Sequence, residues 1–199
     1  MTGLTLFFAP GSSSMAPHIA LHEVGAPFES RPISFHARDN RDPAYLALNP
    51  EGKVPTLLVD GRPLAEVAAI LFYLARRYPD AGLLPHGDTE GDIEAEAQVL
   101  SWMSFIASTL HPARRQGPDA ARAVYAQADD RLGQREWAIG TYSIADIHLF
   151  RLFWRFRGFL NAGPGEFPNL VAHYDRMMAR PAVIKTCAIE AAIGYQLPA

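Results

Sequence analysis

The chain has 199 residues, 49% hydrophobic and 20% charged, with a formal net charge of -3. That is the composition of a folded protein of one or two domains, and it excludes wholesale disorder. No Lys/Arg block exceeds a pair, so the clustered cationic footprint of a nucleic-acid binder is missing. Apolar runs such as Val67–Leu71 are far too short to cross a bilayer. Met1-Thr2-Gly3-Leu4 puts no basic residue ahead of the first apolar stretch, so no secretory signal is expected. The single cysteine, Cys187, rules out an internal disulfide and a cysteine-based zinc site. A soluble, cytoplasmic protein is the expectation.

Leu4 to Phe8 reads as a buried strand closed by the turn Ala9-Pro10-Gly11. Ser12-Ser13-Ser14 is a run of potential N-cap residues before a helix from Met15 to Val24. Pro17 is tolerated there in the first turn, and Gly25 ends the helix. Phe28 to Ile33 alternates as a second strand, Asp42-Pro43 opens a short helix over Ala44–Leu48, and Asn49-Pro50-Glu51-Gly52 is turn chemistry. Pro55–Val59, Asp60-Gly61 and Arg62–Leu64 predict a hairpin, and Glu66–Tyr78 a helix stopped by Pro79. The order βαβαββα over residues 1–81 is thioredoxin-like. A Pro/Gly-rich linker follows at 82–90, and residues 91–199 predict an all-α domain with helices at 91–111, 118–134, 144–157, 167–179 and 181–190.

Three segments point to chemistry. A helix N-terminus carries free N–H groups and about half a unit of positive charge, so the Ser run and helix start at residues 12–15 suit an anion. A thiol there, with a pKa near ~8.5 in water, would ionise more readily, as would one accepting a hydrogen bond from a serine hydroxyl. The competing reading is that the serines only cap the helix. Val54-Pro55, ahead of an apolar strand, is the second segment: a cis bond would turn the Val54 N–H and C=O outward to pair with an extended peptide. The third is Glu66-Val67 at a helix start. Glu66 suits the helix dipole, and it could also meet an ammonium while the Val67 N–H meets the carboxylate of the same amino-acid head group.

These pieces resemble the cytosolic glutathione transferases, nearest the bacterial beta class. The likeness runs through Pro10-Gly11-x-x-Ser14-x-Ala16-x-His18-Ile19-x-Leu21, Asn49-Pro50-x-Gly52-x-Val54-Pro55-x-Leu57 and Glu66-x-x-Ala69-Ile70-x-x-Tyr73-Leu74. It continues through Trp102-x-x-Phe105-Ile106, Leu110-His111 and Tyr142-Ser143-Ile144-Ala145-Asp146. The resemblance implies conjugation of reduced glutathione to a small hydrophobic electrophile through a stabilised thiolate, with glutathione as co-substrate, no other cofactor or metal, and a homodimer. It implies glutathione contacts from Ser13, Lys53, Val54, Pro55, Glu66, Val67 and Ser104, and thiolate stabilisation by Ser13, with Ser14 and His111 as further catalytic candidates. The alternatives are a non-catalytic glutathione-binding or carrier protein, or a glutathione-dependent isomerase or dehalogenase.

The chain departs from that pattern at several places. Ser13 stands where the beta class has cysteine, so a mixed disulfide with glutathione cannot form there. Phe8 stands where many transferases have tyrosine, and Val67 where serine or glycine is usual. Ser104 replaces an asparagine. Ser143 and Asp146 spell a capping box, with Tyr142 and Ile147 as a hydrophobic staple. His18 and His22 have metal-compatible spacing without an evident acidic partner, so no metal is expected. Cys187, and the helical stripe Trp102, Phe105 and Ile106, read as packing. His111, ahead of Pro112, fits either a dipole partner or a functional group.

Overall fold

A computed structural model describes residues 3–195. Its first part follows the expected order: β1 (Leu4–Phe8), α1 (Met15–Glu23), β2 (Glu29–Pro32), a short α2 (Pro43–Leu46), β3 (Thr56–Val59), β4 (Arg62–Ala65) and α3 (Val67–Arg77). The sheet order is β2-β1-β3-β4. β1 and β2 are parallel, as strands joined by a helical crossover can be, and the β1–β3 and β3–β4 pairs are antiparallel. β1 is central and buried, which is why it reads as an unbroken apolar run. Both prolines within strands, Pro32 and Pro63, fall on edge strands, where a missing N–H removes no essential ladder bond. The hairpin turn Asp60-Gly61 has positive φ at both residues (51° and 78°), the primed geometry that matches strand twist. Leu6 and Phe8 of β1, Leu57 of β3, Ile19 and Leu21 of α1 and Ile70, Leu71 and Leu74 of α3 are fully buried.

The helical part contains α4 (Glu90–Phe105), α5 (Pro118–Leu132), α6 (Ile144–Leu160) and α7 (Pro168–Met178). α4 runs on through a wider π-type turn, Ile106–Leu110, and a 3-10 turn, Pro112–Gln116, so the chain breaks where Pro112 and Gly117-Pro118 forbid a continuous helix. The Ser143/Asp146 capping box is present. Asp146 does more than close it: fully buried, its carboxylate accepts from Ser143 N (2.9 Å) and Ala138 N (2.7 Å) and lies 3.0 Å from His173 Nε2. Trp102 is buried and donates to the Ala138 carbonyl at 2.9 Å, in keeping with its reading as core. Tyr142 stacks edge-on against Trp137. No helix among the described residues is long and apolar enough to cross a membrane.

The last helix, α8 (Pro181–Ile193), changes the expected division at 81 and 91. Two compact units form, one of Met1–Tyr78 with Pro181–Ala199 and one of Pro79–Arg180. The expected linker at 82–90 and the start of α4 lie in the second unit, while α8 leaves the expected 91–199 domain for the first. The physical reason is a buried carboxylate. Glu190 on α8 is fully buried, accepts a 2.6 Å hydrogen bond from Gly11 N and stands 2.8 Å from His18 Nδ1 on α1. One turn along, His22 Nδ1 is 2.9 Å from Thr186 Oγ1.

Removing one partner of such a buried arrangement leaves the others unsatisfied, at a cost of about 3–5 kcal/mol. Glu190→Leu should lose stability in that range in urea unfolding, and Glu190→Gln, which retains an acceptor for Gly11 N, should lose distinctly less.

Acid should also unfold the protein early. His22 and His111 are each held down to about 4 and His148 to about 3, in every case by burial first and then by neighbouring basic groups. The folded values lie below the ordinary 6.5, so the unfolded chain binds more protons in acid. The stability these groups contribute is complete above pH 6.5 and is lost as the pH falls toward 4. A melting-temperature series from pH 7.5 to 4 should fall through that window, and His148→Asn should make the fall shallower.

Candidate functional site

Sheet register gathers three segments at one end. Thr56 pairs with Phe7 of β1 and with Ala65 of β4. The residues leaving β1 (9–14), those entering β3 (53–55) and those leaving β4 (66–67) therefore emerge together. Ser13, Lys53, Val54, Pro55, Glu66 and Val67 all lie on these segments.

The serine run is not a set of caps. Ser14 sits at the helix start with helical φ and ψ (-67°, -16°) and makes no capping bond. Instead its hydroxyl accepts from Ala9 N (3.0 Å), donates to Ala9 O (3.1 Å) and lies 2.7 Å from Ser12 Oγ, which in turn accepts from Ser14 N. Fully buried and with its hydrogen-bonding capacity used, Ser14 is a knot that folds the turn back on β1, and it drops out as a hydroxyl for a ligand sulfur. Ser13 is only half-buried, and its Oγ donates to the Val54 carbonyl at 3.1 Å. Two sequence-selected residues are thus in direct contact. Gly11 in the same turn has φ of 73° and gives its N–H to Glu190.

The loop before β3 is clamped from beneath. Tyr45 OH donates to Lys53 O at 2.5 Å and lies 3.0 Å from Thr56 Oγ1; Asn49 Nδ2 donates to both of the same atoms at 3.0 Å. Gly52 turns at φ of 61°, and a Cβ there would sit 2.6 Å from Asn40 O, which explains why the turn ends in glycine. The Val54–Pro55 bond is cis. The Val54 N–H makes no hydrogen bond among the described residues. Lys53 is exposed, with its ammonium 2.5 Å from the Glu51 carboxylate.

Glu66 is exposed and has φ of 71° and ψ of 127°, a region that costs a non-glycine residue on the order of 1–3 kcal/mol. It immediately precedes α3, so Val67 supplies one of the N–H groups that the helix itself cannot satisfy.

Two candidates lie in the helical unit. Ser104 is exposed on α4, and its carbonyl accepts from Ser108 Oγ at 2.8 Å. His111 follows the π-type turn and is half-buried beside Arg151, Arg115 and Arg114, which with burial keep it neutral at pH 7. A charged partner for the helix dipole is therefore not its role. Cys187 is half-buried, and burial followed by Glu190 pushes its thiol up to about 11, so it is unreactive. Sequence reasoning did not assign Glu190, Tyr45 or Thr56. Of the supporting residues, Gly11, His18, Asn49 and Gly52 fell inside the motifs that carry the resemblance.

Comparison with known proteins identifies the family. The family model for the glutathione S-transferase N-terminal domain matches residues 2–76, and that for the C-terminal domain matches residues 97–181. A glutathione S-transferase of Xanthomonas campestris, GST-4.5, is 33% identical over 198 residues, covering 88% of this chain and 93% of that protein. The structure of a sphingomonad glutathione S-transferase complexed with glutathione superposes with a TM-score of 0.80 at 32% identity, covering 94% of this chain and 98% of that one. The beta-class enzyme of Sphingomonas chungbukensis gives 0.79 at 33% identity, with the same coverage. The chain belongs to the glutathione S-transferase family, with bacterial beta-class members among its structural neighbours.

Proposed function

We propose that the protein is a cytoplasmic, homodimeric glutathione transferase of the detoxifying kind, joining reduced glutathione to small hydrophobic electrophiles. The observation that carries this reading is the Ser13–Val54 contact beside an open Val54 N–H. An incoming peptide can pair with both main-chain groups of Val54, its own N–H replacing Ser13 as donor to the carbonyl. Ser13 Oγ is then released to donate to the sulfur, so one hydrogen bond is exchanged for another rather than lost.

In this scheme Glu66 takes the ammonium of the γ-glutamyl group and Val67 N–H takes its carboxylate. Lys53 and Pro55 line the remaining contact. The thiol proton goes to solvent, and the sulfur lone pair attacks the electrophilic carbon. With an activated aryl halide, the C–S bond forms first and a ring π pair moves into the electron-withdrawing substituent; that pair then returns as halide leaves with the carbon–halogen bonding pair. Positioning and electrostatic stabilisation of the thiolate are the protein's contribution. Glutathione is the co-substrate, and no further cofactor enters. Ser104 and His111 are the further candidates, each within the helical unit.

One observation favours a second reading, a glutathione carrier without turnover: the Ser13 proton is already committed to Val54. Calorimetry and kinetics separate the two. Glu66→Gln should weaken glutathione binding about ten-fold, since hydrogen bonds to charged groups contribute about 1.5–3 kcal/mol. Ser13→Ala should bind glutathione within a few-fold of the parent yet raise the pKa of the bound thiol, read from thiolate absorbance, and lower kcat with aryl halides, epoxides or isothiocyanates. Binding without turnover on any of these would establish the carrier. No binding at millimolar glutathione would end both readings.

A further inference from the structure

Phe7 falls between Leu6 and Phe8 in β1, so its side chain points to the opposite face of the sheet. There it packs with Ile33, Val54 and Tyr45 of α2, its ring centroid 5.4 Å from that of Tyr45. α2 is only four residues long, and a cavity of about 370 Å³ stays open beside it. Phe7, Ile33, Tyr45 and Leu48 give this cavity an apolar wall, and Asp39 and Asp42 also line it. Asp39 is half-buried and Asp42 exposed. One oxygen of each acid is engaged: Asp39 Oδ2 accepts from Ser34 N at 2.9 Å and Asp42 Oδ1 from Ala44 N at 2.7 Å. Among the described residues the second oxygen of each accepts no hydrogen bond, and neither acid pairs with a cation. Two arginines lie near, and both are directed elsewhere. Arg31 lines the cavity, but its Nε and Nη2 donate to the Glu29 carboxylate at 2.8 and 3.2 Å. Arg41 donates to the Glu51 carbonyl at 3.4 Å.

We propose that this cavity binds a small primary amine with an aromatic body, the ammonium held by Asp39 and Asp42 and the ring by the apolar wall. Ligand cavities run from about 300 to 1,000 Å³, so this one suits a body of a single ring. Phe7 and Tyr45 offer that ring aromatic partners at the edge or the face. The charge of the wall selects the sign of the ligand. The one guanidinium on the wall is answered by Glu29, which leaves two carboxylates that only a cation complements. An ammonium has three N–H donors and no acceptor, so it can reach both free oxygens at once, through charge-assisted bonds. A metal ion would need more ligands, and among the described residues no third acid, histidine or cysteine joins these two. The cavity belongs to the first unit alone, on the sheet face covered by α2, and holds whether or not the protein takes glutathione.

Calorimetric titration of the full chain, with no glutathione present, tests this using phenethylamine, phenethyl alcohol, phenylacetate and methylamine. Phenethylamine should bind about ten-fold or more tighter than the alcohol, which has the same ring and no charge. Phenylacetate should bind least, and methylamine, which lacks the ring, should bind far more weakly than phenethylamine. Asp39→Asn combined with Asp42→Asn keeps an acceptor for Ser34 N and Ala44 N and removes only the charges. That double variant should keep the parent melting temperature and lose phenethylamine binding about ten-fold or more. Ala44→Leu, at an exposed position on the cavity wall, should also weaken it by narrowing the space. Asp119→Asn, exposed on α5, should bind phenethylamine like the parent. Glu66→Gln should do the same, and a loss there would assign the amine to Glu66 and overturn the proposal. Equal binding of the amine and the alcohol, parent-like binding by the double variant, an equal loss in Asp119→Asn, or no binding at millimolar phenethylamine would each overturn it as well.

Discussion

A single carboxylate organises the first unit. Glu190 sits in a place with no solvent and gives one oxygen to the backbone of Gly11 and the other to His18. Taking an ion out of water costs several kcal/mol after relaxation, and only well-made hydrogen bonds on both oxygens offset it. Those bonds hold α8 against α1 and fix the turn that carries Ser13. The exposed face of the turn can vary in chemistry as long as its anchored face does not move.

The helical unit uses the same device with a different purpose. Asp146 also lies fully buried and accepts from two backbone N–H groups, but it starts its own helix and pins the Ala138 segment beside it. Because Asp146 is spent on internal donors, it can take no part in binding. Glu66 is the opposite case. It is exposed, in a backbone conformation that a glutamate does not choose by itself, and at the edge where three segments converge. A costly conformation held in solvent at a convergence point is where a ligand-facing role gains support. Burial and commitment thus separate the acids that build the molecule from the acid that faces outward.

Local physics accounts for what the sequence made legible. Strand β1 showed itself as an apolar run because it is central; the hairpin announced itself through Asp60-Gly61; Ser143 and Asp146 sit three residues apart, so their reciprocal bonds could be read from spacing. The break after His111 was visible in Pro112 and Gly117-Pro118. What escaped was contact across long separations. Nothing near residue 190 signals that its carboxylate will meet residues 11 and 18, so His18 seemed to lack an acidic partner and α8 seemed to belong with its neighbours in sequence. The serine run shows the same limit: three identical side chains differ only in burial, and burial is decided by how the turn folds onto Ala9. The clamp on Lys53 from Tyr45 and Asn49 was hidden for the same reason, although its glycine and asparagine stood inside a quoted motif.

The return of α8 to the first unit bears on how the protein comes off the ribosome. Residues 1–78 emerge first, yet their unit lacks its buried carboxylate until residue 190 has been made. The intervening helical unit has all of its own chain available earlier. Vectorial synthesis would then finish the middle of the molecule before the beginning, reversing the usual amino-end-first order. Protease resistance of stalled nascent chains, acquired by the helical unit at shorter lengths than by the sheet, is the signature of that order. The amino-terminal sheet is the last part to become secure, and until then its apolar β1 strand waits without its final tether.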